Sequence, residues 1–147
     1  MPSRGVSALV SCVLAWLLPG AGHFYLGKRG RAMVFFLVVL ATFFLGLLND
    51  GHSYVADAQQ PLTYLATLAN LATGPLEFLS RRATYQRLVY RLPADENSPE
   101  ALGLLKAMRN KVRSVADEYG TTYLLTAGLM NMLLILDAFD IAIGRKS

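Results

Sequence analysis

Apolar runs recur along the chain, separated by short polar or basic stretches. Residues 6–18 carry no charge, and neither do residues 32–48, rich in Phe, Leu and Val. A weaker run covers 62–79 and is interrupted by Thr63, Thr67, Asn70, Thr73, Glu77 and a Gly74-Pro75 break. The last covers 121–143, uncharged until Asp137 and Asp140. Counted from 2 to 22, the first run reaches the ~20 residues that a bilayer crossing needs; the alternative is a re-entrant hairpin turning at Pro19-Gly20. The pattern predicts an all-α protein, a polytopic transmembrane helical bundle of about four membrane helices plus one amphipathic interfacial helix. It divides into a helical hairpin (1–49), a polar loop (50–61), a weak third span (62–80), a basic segment with the amphipathic helix (81–118) and a last span (119–147).

The first corner organises this reading. Pro19 and Gly20 end a helix, because proline breaks the hydrogen-bond ladder and glycine lets the chain turn. Phe24 and Tyr25 are aromatics of the kind that settle at a membrane interface, next to Lys28, Arg29 and Arg31. Small residues in the third run (Ala66, Ala69, Ala72) suit close helix packing. Arg81, Arg82, Arg87 and Arg91 alternate with Tyr85 and Tyr90 as an interfacial basic segment. Asn97 or Ser98 then caps a helix with Pro99 in its first turn and Glu100 placed for a capping box. Leu102, Leu105, Met108, Val112 and Val115 recur at helical spacing, with Lys106, Arg109, Lys111 and Arg113 elsewhere on the circumference. This helix lies on the membrane surface, on a partner or on the bundle's own end, and Gly120 is expected to close it.

The run Gly20-Ala21-Gly22-His23-Phe24-Tyr25-Leu26-Gly27, followed by a basic residue, resembles the signature of the TM-two domain, a two-helix transmembrane module, and of related small bacterial membrane proteins. The resemblance covers roughly residues 8–48. In that family an aspartate lies near the end of the second span. Here the second run ends only at Asp50, and the aspartate pattern is better matched by Leu134-Ile135-Leu136-Asp137-Ala138-Phe139-Asp140-Ile141, so the module reads as split by an insertion. The resemblance implies a membrane-embedded protein and carries no biochemical activity with it.

Composition supports the lipid reading. Of 147 residues 54% are apolar and 16% charged, below the quarter usual in soluble domains. The net charge of +4 does not indicate nucleic acid, because the basic residues flank apolar runs and form no stripe; they suit anionic lipid. Cys12 is the sole cysteine, so no internal disulfide or cysteine cluster is possible. Leu9-Val10-Ser11-Cys12 resembles a lipoprotein cleavage box, but only residues 5–11 separate Arg4 from Cys12 and the apolar run continues past it. No small-x-small cleavage site follows the run either, so Cys12 is read as a buried hydrophobe in a retained helix.

With four spans, eleven basic residues share the side of the corner and the amphipathic helix, against three at the termini. The positive-inside rule then puts the corner in the cytoplasm and both termini outside. A re-entrant first segment changes the division to twelve against two, and a third segment that does not span changes it to nine against five.

Asp137 and Asp140 are the leading polar candidates, since a carboxylate within a span is costly unless paired or wetted. They share a helix face with Thr122 and Thr126, while Asn131 points the other way. Pairing with Arg4 or Arg145 is the plain alternative to an ion path. His23 stands alone at the corner, which favours an interfacial hydrogen bond over metal ligation. Glu77 is expected to form an interfacial ion pair with Arg81 or Arg82. Gly20, Gly22 and Gly27 form no phosphate loop, for want of a preceding strand and a Walker lysine. No cofactor and no enzyme activity are expected. The reading is a structural or accessory subunit of a larger membrane complex, in the bacterial inner membrane, with other integral membrane proteins as partners. The rival is a small oligomeric transporter or channel using Asp137 and Asp140.

Overall fold

A computed structural model describes residues 4–95, 97–111 and 115–146. Pro2, where the first segment was counted from, and Val112 and Arg113 of the amphipathic pattern lie outside them. So do the side chains of Arg4, Met108, Arg109, Lys111 and Val115. The described residues contain seven helices: α1 (Arg4–Leu17), α2 (Ala21–Tyr25), α3 (Arg29–Leu48), α4 (Leu62–Leu71), α5 (Pro75–Tyr85), α6 (Pro99–Lys111) and α7 (Val115–Ala142). The all-α expectation holds.

The expected number of spans does not. Among the described residues two helices are long and apolar enough to cross a bilayer, Arg29–Leu48 and Glu118–Ala142, not about four. The first apolar run gives a helix of 14 residues, roughly 21 Å at ~1.5 Å per residue. The third breaks into α4 and α5 where Gly74 adopts φ +68° ahead of Pro75, a site where proline cannot continue the ladder.

Helix α7 organises the rest. It packs along α3, and the two share a core of Val39, Phe43, Leu124, Ala127 and Leu134. Gly120 sits inside α7 and does not end a helix; a Cβ there would lie 2.5 Å from the Asn49 carbonyl oxygen, so glycine permits the crossing with the end of α3. Helix α1 covers the C-terminal half of α7, with Cys12 Sγ 3.7 Å from the Ile135 carbonyl. Helix α4 covers the N-terminal half, where Gly128 meets the backbone of Ala69.

Two broken hairpins therefore approach the α3–α7 pair from opposite ends. In the first, α1 runs antiparallel to α7, turns at 18–20, and α2 returns beside it, with Gly22 against Ser11 and Ala15. In the second, α4 runs parallel to α7, turns at 72–74, and α5 returns to the end it came from. Thr67 on α4 and Arg81 on α5 both donate to the Tyr54 carbonyl, at 3.1 and 2.6 Å. The order half-length helix, glycine break, return helix, long apolar helix thus occurs twice, in opposite directions, the second time with α6 inserted ahead of the long helix.

Beyond α5 the chain forms a small outer module around Val55, Tyr85 and Leu104. Ala56 pairs its backbone with Tyr90 and Leu92 at 2.9 and 3.0 Å. Ser98 caps α6 through the Ala101 amide at 3.1 Å, which puts Glu100 one position short of a capping box. The buried face of α6 carries Ala101 and Leu104, while Leu102 is exposed. The α6 face read from sequence is therefore rotated, with Ala101 on the buried side and Leu102 outside it.

Candidate functional site

Two polar clusters bind α7 to the hairpins, and the first lies at its C-terminal end. Gly144 at φ +82° ends α7 in a Schellman arrangement, with the Arg145 amide donating to the Asp140 carbonyl at 2.9 Å and Gly144 to Ile141 at 3.1 Å. This turns the basic tail back on the two aspartates. Lys146 Nζ donates to Asp137 Oδ1 at 2.7 Å, and Arg145 lies 3.9 Å from Asp140. On its other side Asp137 Oδ2 accepts from His23 Nε2 at 2.9 Å. His23 is fully buried, its ring edge-on to Phe35 at 4.9 Å between centroids. The bond to Asp137 raises the Lys146 ammonium above its ordinary value.

The second cluster sits at mid-length, where α1 and α4 meet end to end. The last carbonyls of a helix lack intrahelical donors, and here they are buried. Asn131 Nδ2 donates to Ala15 at 3.2 Å and to Ala72 at 2.7 Å, and Trp16 Nε1 donates to Leu71 at 3.0 Å. One asparagine on α7 thus closes the ends of both half-length helices. Its own Oδ1, and both amide atoms of the neighbouring Asn70, are buried without a hydrogen-bond partner.

A family profile, the family of unknown function DUF6677, matches residues 10–147. The chain belongs to DUF6677. No curated protein and no solved structure matches it. The DUF6677 match runs through nearly the whole chain, so the TM-two resemblance stands only as a likeness of the corner and does not define a separate hairpin module here.

Within this DUF6677 chain the corner and the late aspartate do come together, as the His23–Asp137 bond, although 114 positions separate them. Asp140 meets Arg145, one of the two partners in the plain alternative, whereas Asp137 meets Lys146 and His23. Asn131 is buried against α1 and α4, on another face. Thr122 and Thr126 are exposed and bond back to the Glu118 and Thr122 carbonyls, both at 2.8 Å, so they join neither aspartate. Pro19 and Gly20 are buried, whereas Phe24 and Tyr25 are exposed. Lys28 precedes α3 and its amide donates to the His23 carbonyl at 2.9 Å.

The Glu77 pair forms with Arg81, at 2.6 Å, and it is buried, not interfacial. Ser53 Oγ donates to Glu77 at 2.8 Å and lies 2.9 Å from Ser80 Oγ. Arg81 also donates to the Val89 carbonyl and stacks on Tyr90, 4.4 Å from the ring centroid. Ser53 and Trp16 were not singled out from sequence, and Asn70 only as one of the polar residues within the third run. Glu77 and Arg81, four apart on a helix, were the available signal; Ser53 and Trp16 were hidden because the groups they meet, Glu77 and Ser80 for Ser53 and the Leu71 carbonyl for Trp16, lie 24, 27 and 55 positions away.

Proposed function

We propose that this chain is a multi-pass membrane protein acting as a non-enzymatic structural or accessory subunit of a larger membrane complex. Helices α3 and α7 cross the bilayer, while the α1–α2 and α4–α5 hairpins dip in from opposite faces. The observation that carries the membrane part is the direction of the apolar side chains. Leu9, Leu37, Leu65 and Leu133, on four different helices, are each more than half exposed, while His23, Asn70 and Asn131 are buried. Lipid, in place of water, makes that arrangement favourable. The subunit reading draws support from the aspartates, whose charges are met by the chain's own basic tail.

In this arrangement six basic residues lie on the side of the termini and the corner, and eight on the side of the loop and outer module. The strong charge bias of the four-span count is gone, so charge does not set the orientation.

Native mass spectrometry after gentle extraction from the source membrane tests the role. A stoichiometric complex with larger membrane proteins is expected; a free monomer would contradict it. One observation favours transport as a second reading. Half-length helices that meet from opposite faces are how several transporters build a midplane site, with helix C-termini facing cations. That places the path at Asn131 and Asn70, not at Asp137 and Asp140. Ion flux from reconstituted vesicles, lost in Asn70→Ala and retained in the Asp137→Asn/Asp140→Asn double variant, would establish it over the subunit reading.

A further inference from the structure

A groove of about 590 Å³ lies between the first hairpin and α3. Leu14 and Leu18 form one wall, Met33 and Phe36 the other, and Pro19 and Gly20 lie at its base. The base stays low because Gly20 adopts φ +84° and a Cβ there would lie 2.4 Å from the Ala32 carbonyl oxygen. At the mouth stands Arg29, its guanidinium 5.8 Å from the Phe24 ring centroid. No carboxylate pairs with Arg29 among the described residues. Arg31, in contrast, opens onto a shallow depression with Asp137, Arg145 and Lys146, where basic charge is already answered by the aspartate.

We propose that this groove binds one acyl chain of an anionic phospholipid, with the headgroup phosphate beside Arg29. The inference rests on the membrane reading above. Charge complementarity selects the occupant: an apolar slot that ends at an unpaired guanidinium fits a molecule with a long apolar tail and a negative head. The exposed Tyr25 at the same mouth has the apolar body and polar tip that suit the headgroup boundary.

The test begins with an alkaline carbonate wash of membranes holding the full chain. Release into the supernatant would overturn the membrane reading itself. The retained chain is then placed in bilayers of phosphatidylglycerol and phosphatidylcholine with matched acyl chains, and lipids kept after detergent extraction are counted by native mass spectrometry. One retained lipid is expected, with phosphatidylglycerol favoured about fivefold, the size of effect one basic side chain has toward an anionic surface. Arg29→Gln should bring the preference close to unity while a lipid is still retained. Met33→Trp, at an exposed lining position, should reduce retention of both lipids. Absence of retained lipid from the wild-type chain, or an unchanged preference in Arg29→Gln, would overturn the site and leave the membrane reading standing. So would a dimer without lipid that Met33→Trp dissociates, since a second copy would then fill the groove.

Discussion

Asn131 carries more of the fold than its size suggests. Its amide group donates to two carbonyls on two different helices. Asn131→Ala should therefore cost about 1–3 kcal/mol, the desolvation cost of leaving buried acceptors unmet, read as a lowered midpoint of unfolding in detergent. Arg81 makes a second case. Arg81→Met removes the donor to the Val89 carbonyl and one of the two donors to Tyr54, and leaves Glu77 buried without its counter-charge, so a loss of about 3–5 kcal/mol is expected. Glu77→Gln should cost less, because it keeps the Ser53 contact and the bonds from Arg81 to the loop; equal losses would refute this account. Lys146 gives a pH effect of determinate sign. Its value is raised in the folded chain by Asp137. Its contribution is therefore complete below the ordinary lysine value and is lost as pH rises through the raised one. The thermal midpoint of Lys146→Gln should decline less at alkaline pH than that of the parent chain.

At the scale of elements, the glycine breaks separate what the pattern of apolar residues merged. Gly74 and Gly27 both adopt positive φ, +68° and +76°, but only Gly74 lies against another backbone, the Trp16 carbonyl. Gly27→Ala should cost about 1–2 kcal/mol, the strain of a left-handed residue with a side chain. Gly74→Ala should cost more and should also shift the fluorescence of Trp16, the sole tryptophan, by separating it from Leu71. A Trp16 spectrum unaltered in Gly74→Ala would mean that the two half-length helices do not meet there. The same positions mark how far the sequence could be read. Pro19-Gly20 and Gly74-Pro75 stand out in it, and the hairpin at the first was one of two open readings. The third run reads as a weak span because its small residues Ala66, Ala69 and Ala72 suit close helix packing. What decided against it is tertiary: Tyr54 draws both arms to one end. Likewise α6 was located and its Ser98 cap anticipated, but its buried face was misjudged, since Ala101 gives almost no hydrophobic signal. The His23–Asp137 bond was legible only as two separate motifs, because no helical period links residues so far apart in sequence.

For the whole molecule, the central claim is two crossing helices and two hairpins that return to the face they entered. This fixes which parts of the chain share a side, whatever the absolute orientation. Residues 28 and 146 fall on one side, and residues 59 and 87 on the other. Four full spans would instead divide 28 from 146 and 59 from 87. Single cysteines at these four positions on a Cys12→Ala background, labelled with a membrane-impermeant maleimide in sealed vesicles of one orientation, separate the two arrangements. The account predicts that Lys28→Cys and Lys146→Cys label together and that Gln59→Cys and Arg87→Cys label together from the opposite face. Labelling of Lys28→Cys together with Arg87→Cys, and of Lys146→Cys with Gln59→Cys, would contradict it and restore four crossings.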